Sequence, residues 1–369
     1  MTHTAEPRIA IAGGGTGGHL CPAVAVAEEL VRLAPDAQVE FLGSGKELER
    51  KILEPTRFRY HVTDCAPMNL GGAWRTAKGV FQARRVLRGL RPDLVLGLGG
   101  YVSGPGVFAA RTLGLPIVLF EPNAVAGNAN RLLARWAEAA YVHFPETELG
   151  CPTLALGTPI GQAVRRGLGC SRMAAIRALG LDPRLPTLLI MGGSQGAAPL
   201  NQWIFEHLPA SAPRLNAIHL CGKGADAAAL RARYADAGVR AYVQPFVRQI
   251  GTLYRAADLA VVRGGGGTLA ELQAVGLPAF VVPLPASAGD HQRRNAEAFA
   301  ASGAGEVLAQ AELDADALER ALECLASPTR LTRWRSAAQR AGHPQAARRV
   351  AEDLLQRISQ RHTKLRAVA

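Results

Sequence analysis

The chain has 369 residues, a formal net charge of +12, 48% hydrophobic residues and 20% charged residues. This composition excludes a disordered chain. No apolar run approaches the roughly 18 residues of a membrane-spanning helix, and Met1–Pro7 lacks the apolar segment of a secretory signal.

The six cysteines are scattered without zinc or redox spacing and read as free thiols of a reducing compartment. The positive charge sits on 37 arginines and five lysines. It points to an anionic partner, whether a phosphorylated ligand, nucleic acid or an acidic membrane surface.

In chain order, apolar β-branched runs predict strands at Arg8–Gly13, Val39–Leu42, Leu94–Gly97, Ile117–Phe120, Tyr141–Phe144 and Leu154–Leu156. Amphipathic stretches lie between them. One is His19–Leu33, with Leu20, Val24, Ala27, Leu30 and Val31 on one face. The pattern restarts with strands at Thr187–Met191, Ala217–Leu220, Ala241–Val243, Leu259–Val262 and Ala279–Val282. Alternation of this kind implies βαβ units, hence an α/β chain of two similar parallel-sheet halves joined near Gly157–Gly161. After Leu313 the chain reads as helical to about Gln360, with a frayed basic tail beyond.

Four glycine-rich loops end predicted strands: Gly13–Gly18, Gly97–Gly104, Gly192–Gly196 and Gly264–Gly267. Glycine lets a ligand approach the backbone, and a helix beginning there offers unpaired amides, so each loop suits phosphate or pyrophosphate. Gly13, Gly15 and Gly18 fit the dinucleotide spacing, but the second strand ends Phe41-Leu42-Gly43-Ser44 without the acidic residue that would hold a ribose.

Thr268-x-x-Glu271 has two readings: a capping box, which the spacing alone favours, or a carboxylate accepting from two ribose hydroxyls. His19 beside the first loop is either a polar side chain at the surface of a turn or a base titrating near neutrality. Asp314 and Asp316 read as a solvated helix face, and no metal site is readable.

Taken together, GGGTGGHLCPA, LGLGGYVSGP, GGSQGA with Leu200-Asn201, RGGGGTLAE and Asp290-His291-Gln292 with Asn295-Ala296 resemble the MurG family of bacterial N-acetylglucosaminyltransferases. The resemblance runs from about Pro7 to about Leu355. It implies a GT-B fold of two Rossmann-like domains facing a central cleft. The first domain, 1–160, would bind acceptor and membrane, and the second, 161–342, UDP-N-acetylglucosamine. Residues 343–369 would form a helix crossing back to the first domain, plus a basic tail.

On the donor side it implies Ser194 and Gln195 at the diphosphate, Val247 at uracil, Gly267 and Thr268 at the phosphates, and Glu271 at the ribose. His291, Gln292 and Asn295 would serve the sugar. Thr16, Gly17, Gly18 and Asn123 would also reach the donor, Asn123 at its acetamido sugar. On the acceptor side it implies Gly14, Gly15, Thr16, His19, Tyr101, Ser103 and Gly104.

The implied reaction is inverting transfer to the 4-hydroxyl of the muramoyl sugar of lipid I, giving lipid II. His19 is the first choice of base and Glu121 the second, and no cofactor is required. The implied partners are UDP-N-acetylglucosamine, lipid I and an anionic membrane surface at the cytoplasmic face of the inner membrane, with no nucleic acid. A glycolipid glycosyltransferase, a UDP-sugar 2-epimerase and a non-catalytic UDP-sugar-binding module are the alternatives.

The sequence departs from the family pattern at Pro122, where Gln is usual, and at Gly264, where Ser is usual. It departs also at Gly157-Thr158-Pro159-Ile160-Gly161, where the family usually ends in arginine. The stretch Trp74–Arg91 carries Trp74, Ala77, Val80 and Phe81 among Arg75, Lys78, Arg84, Arg85, Arg88 and Arg91. It reads either as a basic amphipathic face for anionic lipid or as a core-facing stripe with a solvated basic back.

Overall fold

The structure is a computed structural model describing residues 6–66, 72–193, 196–210, 214–285 and 287–368. It divides into two units, one of Met1–Gly161 with Pro344–Ala369 and the other of Gln162–His343. The first opens with β1 (Arg8–Ala12), α1 (Gly17–Leu33), β2 (Gln38–Gly43), α2 (Glu47–Leu53), β3 (Arg59–Val62) and α3 (Ala73–Leu90). It continues with β4 (Leu94–Gly97), α4 (Gly100–Thr112), β5 (Ile117–Glu121), α5 (Asn128–Leu133), β6 (Ala139–Val142) and β7 (Thr153–Leu154). The seven strands form a parallel sheet in the order β3-β2-β1-β4-β5-β6-β7.

The second unit begins with α6 (Gln162–Leu168), α7 (Arg172–Ala178), β8 (Thr187–Met191), α8 (Ala198–His207) and β9 (Asn216–Leu220). Next come α9 (Ala227–Asp236), β10 (Arg240–Gln244), α10 (Ile250–Ala256), β11 (Leu259–Arg263) and α11 (Gly266–Val275). It closes with β12 (Ala279–Val282), α12 (His291–Ala301), β13 (Gly305–Val307), α13 (Ala315–Leu325) and α14 (Pro328–Ala341). Its parallel sheet runs β10-β9-β8-β11-β12-β13. The expected α/β class with two parallel sheets is therefore present.

In both sheets the strand order reverses beside the first strand, between β1 and β4 and between β8 and β11. Ligands of open α/β sheets bind outside the carboxyl ends of the strands at such a point. The four glycine loops follow β1, β4, β8 and β11, so topology places two of them at each reversal. Helices approach the sheet closely there: a Cβ on Gly106 of α4 would lie 2.5 Å from the Ala12 Cβ.

The last helix, α15 (Ala346–Val368), belongs to the first unit and packs on α1. Its Val350, Ala351, Leu354 and Ile358 join the core of Ile9, Ile11, Leu20 and Val26. Tyr141 donates to Asp353 at 2.6 Å, and His362 pairs with Asp93 at 2.8 Å. Helix therefore continues to Val368, past Gln360, where a frayed tail was expected. The His362 pair, and another between Arg361 and Glu138, tether that end.

Candidate functional site

The first glycine loop turns on Gly13 and Gly15, with φ of 147° and 83°, values that glycine alone adopts freely. Thr16 is the N-cap of α1, yet its side chain makes no cap bond. Its hydroxyl instead lies 3.1 Å from His19 Nδ1, which fixes the ring and leaves Nε2 for a ligand. The second loop brings α4 to the same place: a Cβ on Gly100 would stand 3.9 Å from His19 Cε1. Gly99, the N-cap of α4, offers no side-chain cap either.

Two uncapped helix starts thus meet at one imidazole, an arrangement favourable to anions. Elsewhere Asp226, Asp314 and Ser327 cap α9, α13 and α14 through their side chains. Asp314 is thus an N-cap, accepting from Ala317 N at 2.8 Å. Burial lowers the His19 pKa, partly opposed by the negative charge of Glu121, so the ring is neutral near pH 7.

Tyr101 sits in the first turn of α4 with its hydroxyl 2.7 Å from Lys46 Nζ, a neighbour the sequence reading missed. Ser103 is buried and donates to the Gly100 carbonyl at 2.9 Å. Open space lies where a Cβ of Gly104 would be. Gly14 and Gly15 are both covered by the carboxylate of Glu49, which accepts from Gly15 N at 2.6 Å.

Glu121 is 2% exposed, and its oxygens accept four bonds. Oε1 takes Asn123 N and Nδ2 at 3.1 and 2.8 Å, and Oε2 takes Gly127 N and Asn130 Nδ2 at 2.9 and 3.0 Å. The carboxylate shapes the loop from β5 to α5 and orients Asn123. With four donors satisfied, it is poorly placed to collect a substrate proton.

In the second unit, α11 begins at Gly266 with Gly265 as an uncapped N-cap. The capping box that spacing alone favours is absent: Thr268 lies inside the helix and Glu271 bonds elsewhere. Its Oε2 accepts from the Tyr254 hydroxyl on α10 at 2.8 Å. Burial pushes the Glu271 carboxyl up to about 7, although the bond from Tyr254 acts the other way. Gly267 and Thr268 occupy the first turn of α11.

Gln292 Oε1 accepts from Leu284 N at 3.0 Å, leaving its amide NH2 for a ligand. Asn295 is buried and donates to the Gly264 carbonyl at 3.0 Å, tying α12 to the fourth loop. His291 opens α12 after Asp290, a non-glycine residue with φ of 57°, and its Nδ1 is buried without a hydrogen-bond partner. A Cβ on Gly264 would lie 2.3 Å from the Gln292 carbonyl. Glycine in place of the family's usual serine therefore lets α12 approach this loop.

Val247 is half-buried beside exposed Phe246. Ser194 and Gln195 lie outside the described residues. On the described residues that follow, His219 Nε2 is 2.9 Å from Asn201 Oδ1 while Asn201 Nδ2 donates to Cys221 O. Burial lowers the His219 pKa to about 4.

Residues 9–142 match the glycosyltransferase family 28 N-terminal domain and residues 187–350 the glycosyltransferase family 28 C-terminal domain. The chain belongs to glycosyltransferase family 28. Within that family it is 38% identical over 359 residues to a Stutzerimonas stutzeri UDP-N-acetylglucosamine–N-acetylmuramyl-(pentapeptide) pyrophosphoryl-undecaprenol N-acetylglucosamine transferase, covering 94% of this chain and 98% of that protein. A Pseudomonas fluorescens protein of the same description is 40% identical over 348 residues, covering 92% and 95%.

Among solved structures, MurG of Acinetobacter baumannii superposes with a TM-score of 0.78 at 31% identity, covering 95% of this chain and 99% of that one. Membership of family 28 makes the molecule a glycosyltransferase with the two Rossmann-like domains of the GT-B class. Among its described residues no helix is long and apolar enough to cross a membrane.

Proposed function

We propose that this enzyme transfers N-acetylglucosamine from UDP-N-acetylglucosamine to the 4-hydroxyl of the muramoyl sugar of lipid I, giving lipid II. The observation that carries the reading is His19: a neutral imidazole, fixed through Nδ1 by Thr16, at the meeting of two uncapped helix starts.

In this reading the amides of Gly17, Gly18 and the first turn of α4, with Tyr101, hold the acceptor diphosphate. His19 Nε2 takes the proton of the 4-hydroxyl as its oxygen bonds to the anomeric carbon of the donor. The bond from that carbon to the diphosphate oxygen breaks with its electron pair, UDP leaves, and the configuration inverts. Charge developing on the leaving diphosphate meets the first-turn amides of α11 at Gly267 and Thr268.

Glu271 holds the ribose hydroxyls, the Val247 backbone meets uracil, and Gln292, His291 and Asn295 form the sugar end. Asn123, oriented by Glu121, faces the acetamido sugar. Acting through Asn123, Glu121 is a positioning residue.

The acceptor is lipid-borne, and α3 supports a membrane face. Trp74 is 78% and Phe81 73% exposed, on the same side as exposed Arg75, Lys78, Arg85 and Arg88. The opposite side of α3 packs Ala83 and Leu87 into the core. A helix face that mixes exposed aromatics with arginines suits the interface of an anionic bilayer, here the cytoplasmic face of the inner membrane.

Incubation with labelled UDP-N-acetylglucosamine and a lipid I analogue tests the reading. Label appearing in a disaccharide lipid is expected. Intact UDP binding without transfer would replace the reading by a binding module, and release of a 2-epimerised sugar by an epimerase.

A further inference from the structure

The carboxylate of Glu49 on α2, which meets the first glycine loop, is a buried and heavily bonded group that the reaction as proposed does not use. Glu49 is 1% exposed. Its Oε1 accepts from Gly15 N at 2.6 Å and Ser44 Oγ at 2.7 Å. Its Oε2 accepts from Ser44 N at 2.8 Å, Gly45 N at 2.9 Å and the Tyr60 hydroxyl. Burial alone would raise the carboxyl pKa, but the bonds from Tyr60, Ser44 and Gly15 together hold it below the usual carboxylate range. It is an anion set flush against a loop read as an anion site: a Cβ on Gly14 would fall 2.4 Å from Oε1.

A negative charge in that position opposes diphosphate binding unless its geometry is needed. We propose that Glu49 is a positioning residue for His19, acting through Gly15 and Thr16. The carboxylate fixes the Gly15 amide in its left-handed conformation, φ 83°. The next residue, Thr16, then presents its hydroxyl to His19 Nδ1 at 3.1 Å and sets the ring and its tautomer. By taking the Gly15 amide, Glu49 also leaves the first turn of α1 as the part of the loop that faces the ligand. The same carboxylate pins Ser44 and Gly45, so Lys46 is delivered to Tyr101 by the clamp that shapes the glycine loop. The inference rests on the assignment of His19 as the base.

The test is a double-mutant cycle in the full-length enzyme with Glu49→Gln and Thr16→Ala, read as kcat with saturating lipid I analogue and as UDP affinity. Glu49→Gln should lower kcat about tenfold or more, but less than about threefold when Thr16 is already alanine, because coupled residues are non-additive. UDP affinity should not move. Equal kcat factors in both backgrounds would overturn the proposal, as would a folded Glu49→Gln enzyme with wild-type kcat.

If Glu49→Gln fails to fold, Glu49→Asp carries the same cycle, since the shorter side chain cannot span Gly15 and Gly45 together. Failure of both to fold would make Glu49 a folding anchor and overturn the proposal. Ring 15N shifts of His19 separate this question from the reaction itself. Glu49→Gln should move the tautomer ratio toward that of Thr16→Ala even if the wild-type protein transfers no sugar to lipid I. An unchanged ratio would overturn the proposal.

Discussion

With Glu271 at the ribose, as proposed, its carboxyl, raised to about 7 by burial, would make nucleotide binding a proton-linked event. Only the ionised carboxylate accepts from both ribose hydroxyls, so the apparent dissociation constant of UDP should scale as one plus the protonated-to-ionised ratio. With a midpoint near 7, that factor falls from about 11 at pH 6 to about 1.1 at pH 8, and UDP should bind about tenfold more tightly at the higher pH. The terminal phosphate of UDP titrates near pH 6 as well, so the measurement is a comparison with Glu271→Gln. Calorimetry in buffers of different ionisation enthalpy should show wild type releasing about half a proton at pH 7 that the variant does not release.

Tyr254→Phe removes the bond that favours the charged form, so it should move the midpoint to higher pH. For the free protein the sign is opposite. A carboxyl whose folded pKa is raised contributes stability fully present below its unfolded value and lost as pH rises through about 7. Glu271→Gln should therefore raise the melting temperature of the ligand-free enzyme at pH 8 while weakening UDP. Identical pH slopes for UDP binding by wild type and Glu271→Gln would refute the reasoning.

His19→Gln should lower kcat by about 10²–10⁴ with UDP affinity unchanged, and the acid limb of the wild-type kcat/KM profile, which reports the free enzyme, should lie below pH 6.5 because burial lowers the ring pKa. Glu121→Gln, which sets an NH2 among four donors, should cost roughly 1–3 kcal/mol in urea unfolding and raise the donor KM through a displaced Asn123. Gly264→Ser, restoring the family's usual residue, should lower the melting temperature, because its Cβ meets the Gln292 carbonyl at 2.3 Å. Changing Arg75, Lys78, Arg85 and Arg88 to Gln should reduce sedimentation with anionic vesicles by up to about 1 kcal/mol per residue, fading as salt rises. Lys78 should contribute least, since it is paired with Asp64 at 2.8 Å; equal sedimentation of both proteins at low salt would remove α3 from the membrane face.

The doubly wound architecture was legible because apolar runs of three to six residues alternate with helical periods, and four of them lead into glycine loops. Strands of other composition escaped. β3 is Arg-Tyr-His-Val at the sheet edge, where pairing needs no apolar pattern, and β13 has three residues. The sixth strand was expected at Tyr141–Phe144 but occupies Ala139–Val142, because buried His143 and Phe144 carry the apolar run past its end. In α11 the low helix propensity of Gly266 and Gly267 concealed the true start, and with it the absence of a capping box at Thr268.

Glycine loops and His19 announce themselves through composition and neighbourhood. Glu49 does not: its bond to Gly15 spans 34 positions, and nothing local separates it from Glu47 two residues earlier, whose partner is the exposed Lys51. The Tyr254 bond to Glu271 was hidden in the same way, by distance along the chain. The face of α3 was ambiguous because periodicity gives a stripe but not its direction, which the packing of Ala83 and Leu87 decides.

The return of α15 to the first unit puts a delay into the birth of the protein. Val350, Ala351, Leu354 and Ile358 complete a core whose other members lie before Gly157. The ribosome must therefore make all of Gln162–His343 before that core can close. At roughly 5–20 residues per second the wait is about 10–40 s. Until then the apolar side of α1 that α15 will cover stands open on the nascent chain, within reach of a chaperone, and the second unit can finish folding before the first.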